Sequence, residues 1–268
     1  LVIIILMLSF LVTMLITVAG TREEPLQEKP PRAEDRPVLR MLLLTVIFVG
    51  ITQLALLLVK GIGTWLPQDS TSLALRIVLV GLAGLVGMAG SIFIGVYFGA
   101  RVGIGKEANT HKSFIWWVVT RLMFLAAISS VRNFAMFFVK DVLQVPNPAT
   151  ITTYLTAVIF IFLLISSIVG GILADKIGRK KLLAAAGALA VLGTVILVFS
   201  RTIPMVMFAG VFLGLGTGTF MASNWALGTD LVPQKDAGRY LGISNLAGAG
   251  AGIIGSRSEE HTSELQSR

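Results

Sequence analysis

Apolar residues run nearly unbroken for about twenty positions at a time, with short polar breaks between the runs. Eight runs stand out: Leu1–Gly20, Leu39–Val59, Ser72–Gly99, Phe114–Val139, Ala149–Ala174, Leu182–Ser200, Ile203–Thr229 and Ala237–Ser256. A helix needs about 20 apolar residues to cross the hydrocarbon of a bilayer. Backbone in hydrocarbon must satisfy its own hydrogen bonds, so such runs are helices unless they close a barrel. The alternation of barrel strands is missing from them. The pattern predicts an all-α, polytopic integral membrane protein of about eight transmembrane helices.

The breaks carry a second pattern. Lys and Arg number five between Arg22 and Arg40, then two at Lys60 and Arg76. Three lie between Arg101 and Lys112, one at Lys140 and four between Lys176 and Lys181. One follows at Arg201, then two at Lys235 and Arg239. High and low counts alternate, as the positive-inside rule requires of a chain that threads back and forth. The loops near 22–38, 101–112, 176–181 and 235–239 are therefore expected on the cytoplasmic side of the cell membrane, and the start of the chain outside.

Composition agrees with this reading. The chain has 268 residues, 55% hydrophobic and 13% charged, with a mean hydropathy of +0.85. A soluble domain of this length could not cover itself with so little polar surface. The net charge of +8 is spread over short loops, so it speaks for topology in a lipid bilayer and not for a nucleic-acid partner. There is no Cys, which excludes disulfides and thiol chemistry. Two His and no cluster with carboxylates leave no metal site to expect. No nucleophile has a base beside it, so no catalytic residue, cofactor or enzymatic activity is expected. Gly214, Gly216 and Gly218 lie inside an apolar span and cannot cradle a phosphate.

One break is unlike the others. Gly170-Gly171-Ile172-Leu173-Ala174-Asp175-Lys176-Ile177-Gly178-Arg179-Lys180-Lys181 packs an acid, four bases and a turn glycine between two spans. Asp175 ends its helix at the wrong pole of the dipole and needs a base or the N-terminus of another helix as partner. Gly178 permits a tight reversal. The spacing Gly171, Asp175, Lys176, Gly178, Arg179, Lys180 closely resembles the loop signature of the major facilitator superfamily of secondary transporters. Asn224 to Pro233, followed by Ala237 to Gly242, is similar to the connection between helices ten and eleven in the branch containing glycoside–cation symporters.

The resemblance covers Phe114–Ser256 and implies helices seven to eleven of the family plan, within an incomplete facilitator-type bundle. On that plan residues 1–20 form a clipped transmembrane helix of the N-terminal half, either helix four or helix six. Residues 21–38 are a Pro- and charge-rich cytoplasmic linker, 39–99 two transmembrane helices, 100–113 a basic cytoplasmic loop and 114–256 the C-terminal half. Residues 257–268 change character abruptly and resemble a translated sequencing adapter, so they are read as a non-native tail.

The resemblance also implies function: secondary active transport of a small solute by alternating access, coupled to a proton or another cation. Its branch points to a sugar-like solute. The alternative is a protein of the same fold that serves in assembly or pigment-protein biogenesis without transport. Asp175, Arg179, Asp230 and Arg239 are expected at one face as a gate. In it Asp175 meets the N-terminus of the helix starting near Ala237, and Arg179 pairs with Asp230. The simpler reading is a set of solvated loop charges.

Arg121 and Arg132 are two cations inside one span, eleven residues apart and so on one helical face. With Ser129, Asn133 and Asn224 they are candidates to line a cavity for solute or ion; the alternative is snorkelling of the long side chains to the headgroups. Trp65, Trp116, Trp117 and Trp225 are expected as interfacial anchors. Small-residue stripes at Gly210, Gly214 and Gly218, at Gly81, Gly84, Gly87 and Gly90, and at Gly248, Gly250 and Gly252 are expected to bring helices close, as sliding or as static surfaces.

Overall fold

A computed structural model describes residues 12, 37–65, 73–103, 112–232, 240–242, 244 and 245. The chain divides into two units, 1–37 and 38–268. The first unit contains two of the described residues, and the helix packing belongs to the second. The runs Leu1–Gly20 and Ala237–Ser256, the linker 21–38, Arg239, the glycines 248–252 and the tail 257–268 lie wholly or mostly outside the described residues.

Six long helices make up the described chain: α1 (Pro37–Trp65), α2 (Leu73–Gly103), α3 (Lys112–Phe137), α4 (Pro148–Ile177), α5 (Arg179–Phe199) and α6 (Ile203–Leu231). All six are long and apolar enough to cross a membrane. They coincide with six of the eight predicted runs; the other two are the ones outside the described residues.

The helix ends follow from local chemistry. α3 runs on into a π-helical turn, Phe138–Val142, closed by the Leu143 amide donating to the Phe138 carbonyl at 3.1 Å. Gln144 then takes a left-handed φ of 51°, and Pro148 opens α4 in its first turn, where a missing N–H costs nothing. Gly178 both ends α4 and begins α5, at φ 98°. A side chain would be strained there, so the reversal depends on glycine. Pro204 occupies the first turn of α6 as Pro148 does that of α4.

Helix α6 is the centre of the packing. Its buried residues fall all around its circumference, from Val206 to Gly228. Glycine makes this possible. A Cβ on Gly214 would stand 2.5 Å from the Ile159 carbonyl of α4, and one on Gly210 2.6 Å from the Leu155 side chain. On Gly218 it would overlap Ser166 and the Leu163 carbonyl. The opposite side meets α5: a Cβ on Gly216 would lie 2.7 Å from the Ala190 nitrogen, and one on Gly193 of α5 2.8 Å from the Leu213 nitrogen. Near its C-terminus, Gly228 receives the Trp117 indole of α3. Small residues replace the hydrophobic effect here, because lipid tails are as apolar as any side chain.

Two apolar clusters result. One joins α2 to the start of α3 through Ile92, Val96, Phe114, Trp117 and Leu122, with Tyr240 against Phe114. The other lies toward the opposite end, around Leu155, Leu197, Val206 and Leu213. The stripe on α2 behaves differently from that on α6. Gly87 touches Val59 and Ala55 of α1, whereas Gly81, Gly84 and Gly90 face open space among the described residues.

Candidate functional site

Arg179 gathers the polar contacts at one end of the bundle. It is the first residue of α5, where the helix dipole disfavours a cation. Its guanidinium forms an ion pair with Asp230 of α6, lies 3.6 Å from Asp175 of α4, and donates to the Ala226 carbonyl. One side chain thus ties the ends of three helices. The pairing with Asp230 matches the sequence reading. Asp175 is three-quarters exposed, and its expected second partner near Ala237 lies outside the described residues. Lys176 and Lys180 are exposed at the same end. Among the described residues Gly171 has open space where a side chain would stand, whereas a Cβ on the buried Gly170 beside it would lie 3.2 Å from the Thr219 α-carbon. The close approach thus falls one residue before the signature glycine. No sequence signal separates two adjacent glycines; only the helical phase relative to α6 does.

Toward the same end, Arg121 is buried. Its guanidinium donates to the Ser244 hydroxyl at 2.9 Å and stands 4.4 Å from the Trp225 ring centre and 5.6 Å from that of Trp117. Stacking on aromatic faces stabilises a desolvated cation. The Asn224 carbonyl accepts from Trp117 Nε1 at 2.9 Å, and the Asn224 side-chain Nδ2 is buried with no partner among the described residues. Trp117 is therefore a core residue, only 3% exposed, and not the interfacial anchor its position suggests. An indole N–H that finds a buried carbonyl loses the reason to stay at the headgroups. Trp116, next to it, is exposed, as are Trp65 and Trp225.

Arg132 goes elsewhere. It lines a cavity of about 220 Å3 bounded by α3, α4, α5 and α6. Among the described residues three others that line it are polar, Thr152, Thr156 and Thr217; the rest of that wall is apolar, with Leu155, Ile159 and Leu213 among it. All three threonine hydroxyls donate back to carbonyls of their own helices. Ser129, Asn133 and Asn224 are not in the wall, and neither is Arg121. The structure therefore does not bring the two arginines into one cavity. Eleven residues place them on one face, but three turns of rise separate them along it, and each finds different neighbours.

The described residues contain no group of three His, Cys, Asp or Glu placed to hold a metal.

The comparisons with known proteins bear on this arrangement. A family model described as Major Facilitator Superfamily matches residues 104–256, more than half of the chain. The minor myo-inositol transporter of Bacillus subtilis is 27% identical over 90 residues, 34% of this chain and 20% of that protein. An uncharacterized MFS-type transporter of Mycobacterium tuberculosis is 33% identical over 76 residues, 28% of this chain and 11% of that protein. The matches thus span a fifth or less of the length of these relatives. No solved structure matches. The matched proteins are transporters and not enzymes, and the apolar helices are those of a multi-pass membrane protein. The chain belongs to the major facilitator superfamily.

Proposed function

We propose that this chain moves a small solute across the cell membrane by alternating access, drawing on a proton or other cation gradient. The observation that carries the reading is the Arg179 clasp. It joins α4, α5 and α6 at the basic end of the bundle, read as cytoplasmic, through contacts that water can reach. A contact of that kind is weak enough to open, since exposed pairs contribute at most about 1 kcal/mol. Asp175, Arg179, Asp230 and Arg239 then act as the gate. The glycine faces of α6 supply smooth surfaces on which α4 and α5 can rock. Asn224, whose Nδ2 is left over after internal bonding among the described residues, and the buried cation Arg121 beside it are the residues to meet solute, with Ser129 and Asn133 further along α3. A sugar-like polyol is the solute class, on the strength of the myo-inositol transporter relative.

The test is uptake of labelled myo-inositol and a panel of hexoses into proteoliposomes under an imposed proton or sodium gradient. Gradient-dependent accumulation is expected, abolished by ionophore. Arg121→Met should remove uptake while the protein stays folded, because burying a cation costs several kcal/mol that the apolar variant avoids. If no solute of the panel accumulates under any gradient, the reading fails. One observation favours the second reading, a facilitator fold serving assembly without transport: the cavity at Arg132 is mostly apolar, unlike a path for a hydrated solute.

A further inference from the structure

Trp117 does more at α6 than fill space. Its indole N–H donates to the Asn224 main-chain carbonyl at 2.9 Å. A helical carbonyl already accepts from the amide four residues on, and here that residue is Gly228. Trp117 takes the second lone pair. Gly228 is also what lets the ring arrive. A Cβ there would stand 2.8 Å from the ring carbon Cη2, so a side chain at 228 would hold the indole off the carbonyl. One glycine thus supplies both the amide and the notch for the same carbonyl.

The contact has a register. Trp117 and Arg121 are four residues apart on α3, and Asn224 and Gly228 four apart on α6, so each pair shares a helical face. Phe124, further along α3, stacks on Phe220, further back on α6, with ring centres 3.6 Å apart. The two helices therefore run antiparallel along this seam. Trp117 is also held from behind. Phe114 packs on it at 5.6 Å, and Tyr240 meets Phe114 edge-on at 4.9 Å. The Trp117 ring lies 5.6 Å from the Arg121 guanidinium, and with Trp225 it gives the buried cation two aromatic neighbours. One buried side chain thus touches both residues read as meeting solute.

We infer that Trp117 is a positioning residue of the solute site: it fixes the turn of α6 that carries the Asn224 amide and supports Arg121 on its ring. At 3% exposure it does not meet solute itself. The inference rests on the reading that Arg121 and Asn224 meet solute, and names the side chain that sets their spacing.

Trp117→Phe keeps a ring in the notch and removes the N–H. Initial rates of myo-inositol uptake are measured in proteoliposomes under an imposed gradient. KM should rise about three- to tenfold, the order of one lost hydrogen bond. The maximal rate should hold, since loss of binding common to ground and transition states moves KM alone. A merely structural role would lower the maximal rate by depleting folded protein and leave KM alone. Gly228→Ala displaces the ring from the other side and should raise KM likewise. Adding Trp117→Phe to it should raise KM no further, as for two changes to one contact. Trp116→Phe, at the exposed neighbour, should change neither quantity.

A second measurement needs no solute. Asn224→Cys leaves the main-chain carbonyl in place, and the chain has no cysteine of its own. The thiol, buried as Asn224 is, should react with methyl methanethiosulfonate about three- to tenfold faster once Trp117→Phe is added. Ser166→Cys, buried between α4 and α6, should react equally in both backgrounds. An unchanged KM in Trp117→Phe would overturn the inference and leave transport standing. So would equal thiol rates at 224 with and without the indole, or a rate that rises as much at 166, which is general loosening. If no variant takes up solute while the rate at 224 alone still rises, the transport reading falls and the hold of Trp117 on α6 stands.

Discussion

At Gly218 a single hydrogen atom decides whether α4 and α6 can touch. A methyl there would run into the Ser166 hydroxyl and the Leu163 carbonyl, and a backbone carbonyl cannot move aside as a flexible side chain can. Gly218→Ala should therefore destabilise the protein by about 1–3 kcal/mol, the usual cost of overpacking. Gly81→Ala makes the comparison, since nothing among the described residues lies within 4 Å of the new methyl. It should be neutral or stabilise by about 0.5–1 kcal/mol through the better helix former. Thermal unfolding of both variants in the same detergent measures the difference. Equal midpoints would mean that the α4–α6 contact is looser than the glycines imply. The two glycines look alike in sequence, each one member of a regular stripe. What separates them is which helix lies opposite, and spacing carries no information about that.

The α4–α5 hairpin and its contact with α6 are the most legible element. Gly178 at positive φ and the Arg179–Asp230 pair both follow from local rules: a reversal needs glycine, and a cation at a helix N-terminus needs an acid. Trp117 and the arginines of α3 are not legible, for a common reason. A long apolar helix reads the same on all sides, so its sequence does not say whether Trp117 meets lipid or the Asn224 carbonyl, or that Arg121 and Arg132 part company. The clasp itself makes a prediction. Arg179→Ala should leave the fold intact, because Arg179 is about a quarter exposed and Asp230 more than half, and such a pair contributes about 1 kcal/mol or less. That is still about a fivefold change in a two-state equilibrium. A cysteine placed at Ala226, whose carbonyl Arg179 covers, should accordingly label up to about five times faster in the Arg179→Ala background. High salt should raise the rate in the parent and not in the variant, by screening the pair. Identical labelling in both backgrounds would make these charges mere solvated ends.

Across the whole bundle, contacts fix which helix ends lie together. The Arg179–Asp230 pair places the start of α5 beside the end of α6, and Trp117 bonding to Asn224 places the start of α3 with them. Lys112, Lys176, Arg179, Lys180 and Lys181 therefore share one end, while Lys140 and Arg201 belong to the other. The alternation of loop charges and the packing of the spans are independent, one a matter of insertion and the other of side-chain fit, yet they sort the ends the same way. The chain has no cysteine, so single cysteines can be introduced without background. In inside-out and right-side-out vesicles, Lys180→Cys and Lys112→Cys should react with an impermeant maleimide from the cytoplasmic side. Lys140→Cys and Arg201→Cys should react from the opposite side. A hairpin as tight as Gly178 leaves α4 and α5 no room to end on different faces, so Lys180 is the reference for the rest. Should Lys112→Cys label from the side opposite Lys180→Cys, α3 would have to run the other way through the membrane. The Trp117–Asn224 bond and the burial of Arg121 beside Trp225 would then be impossible, and the proposed solute contacts on α3 would go with them.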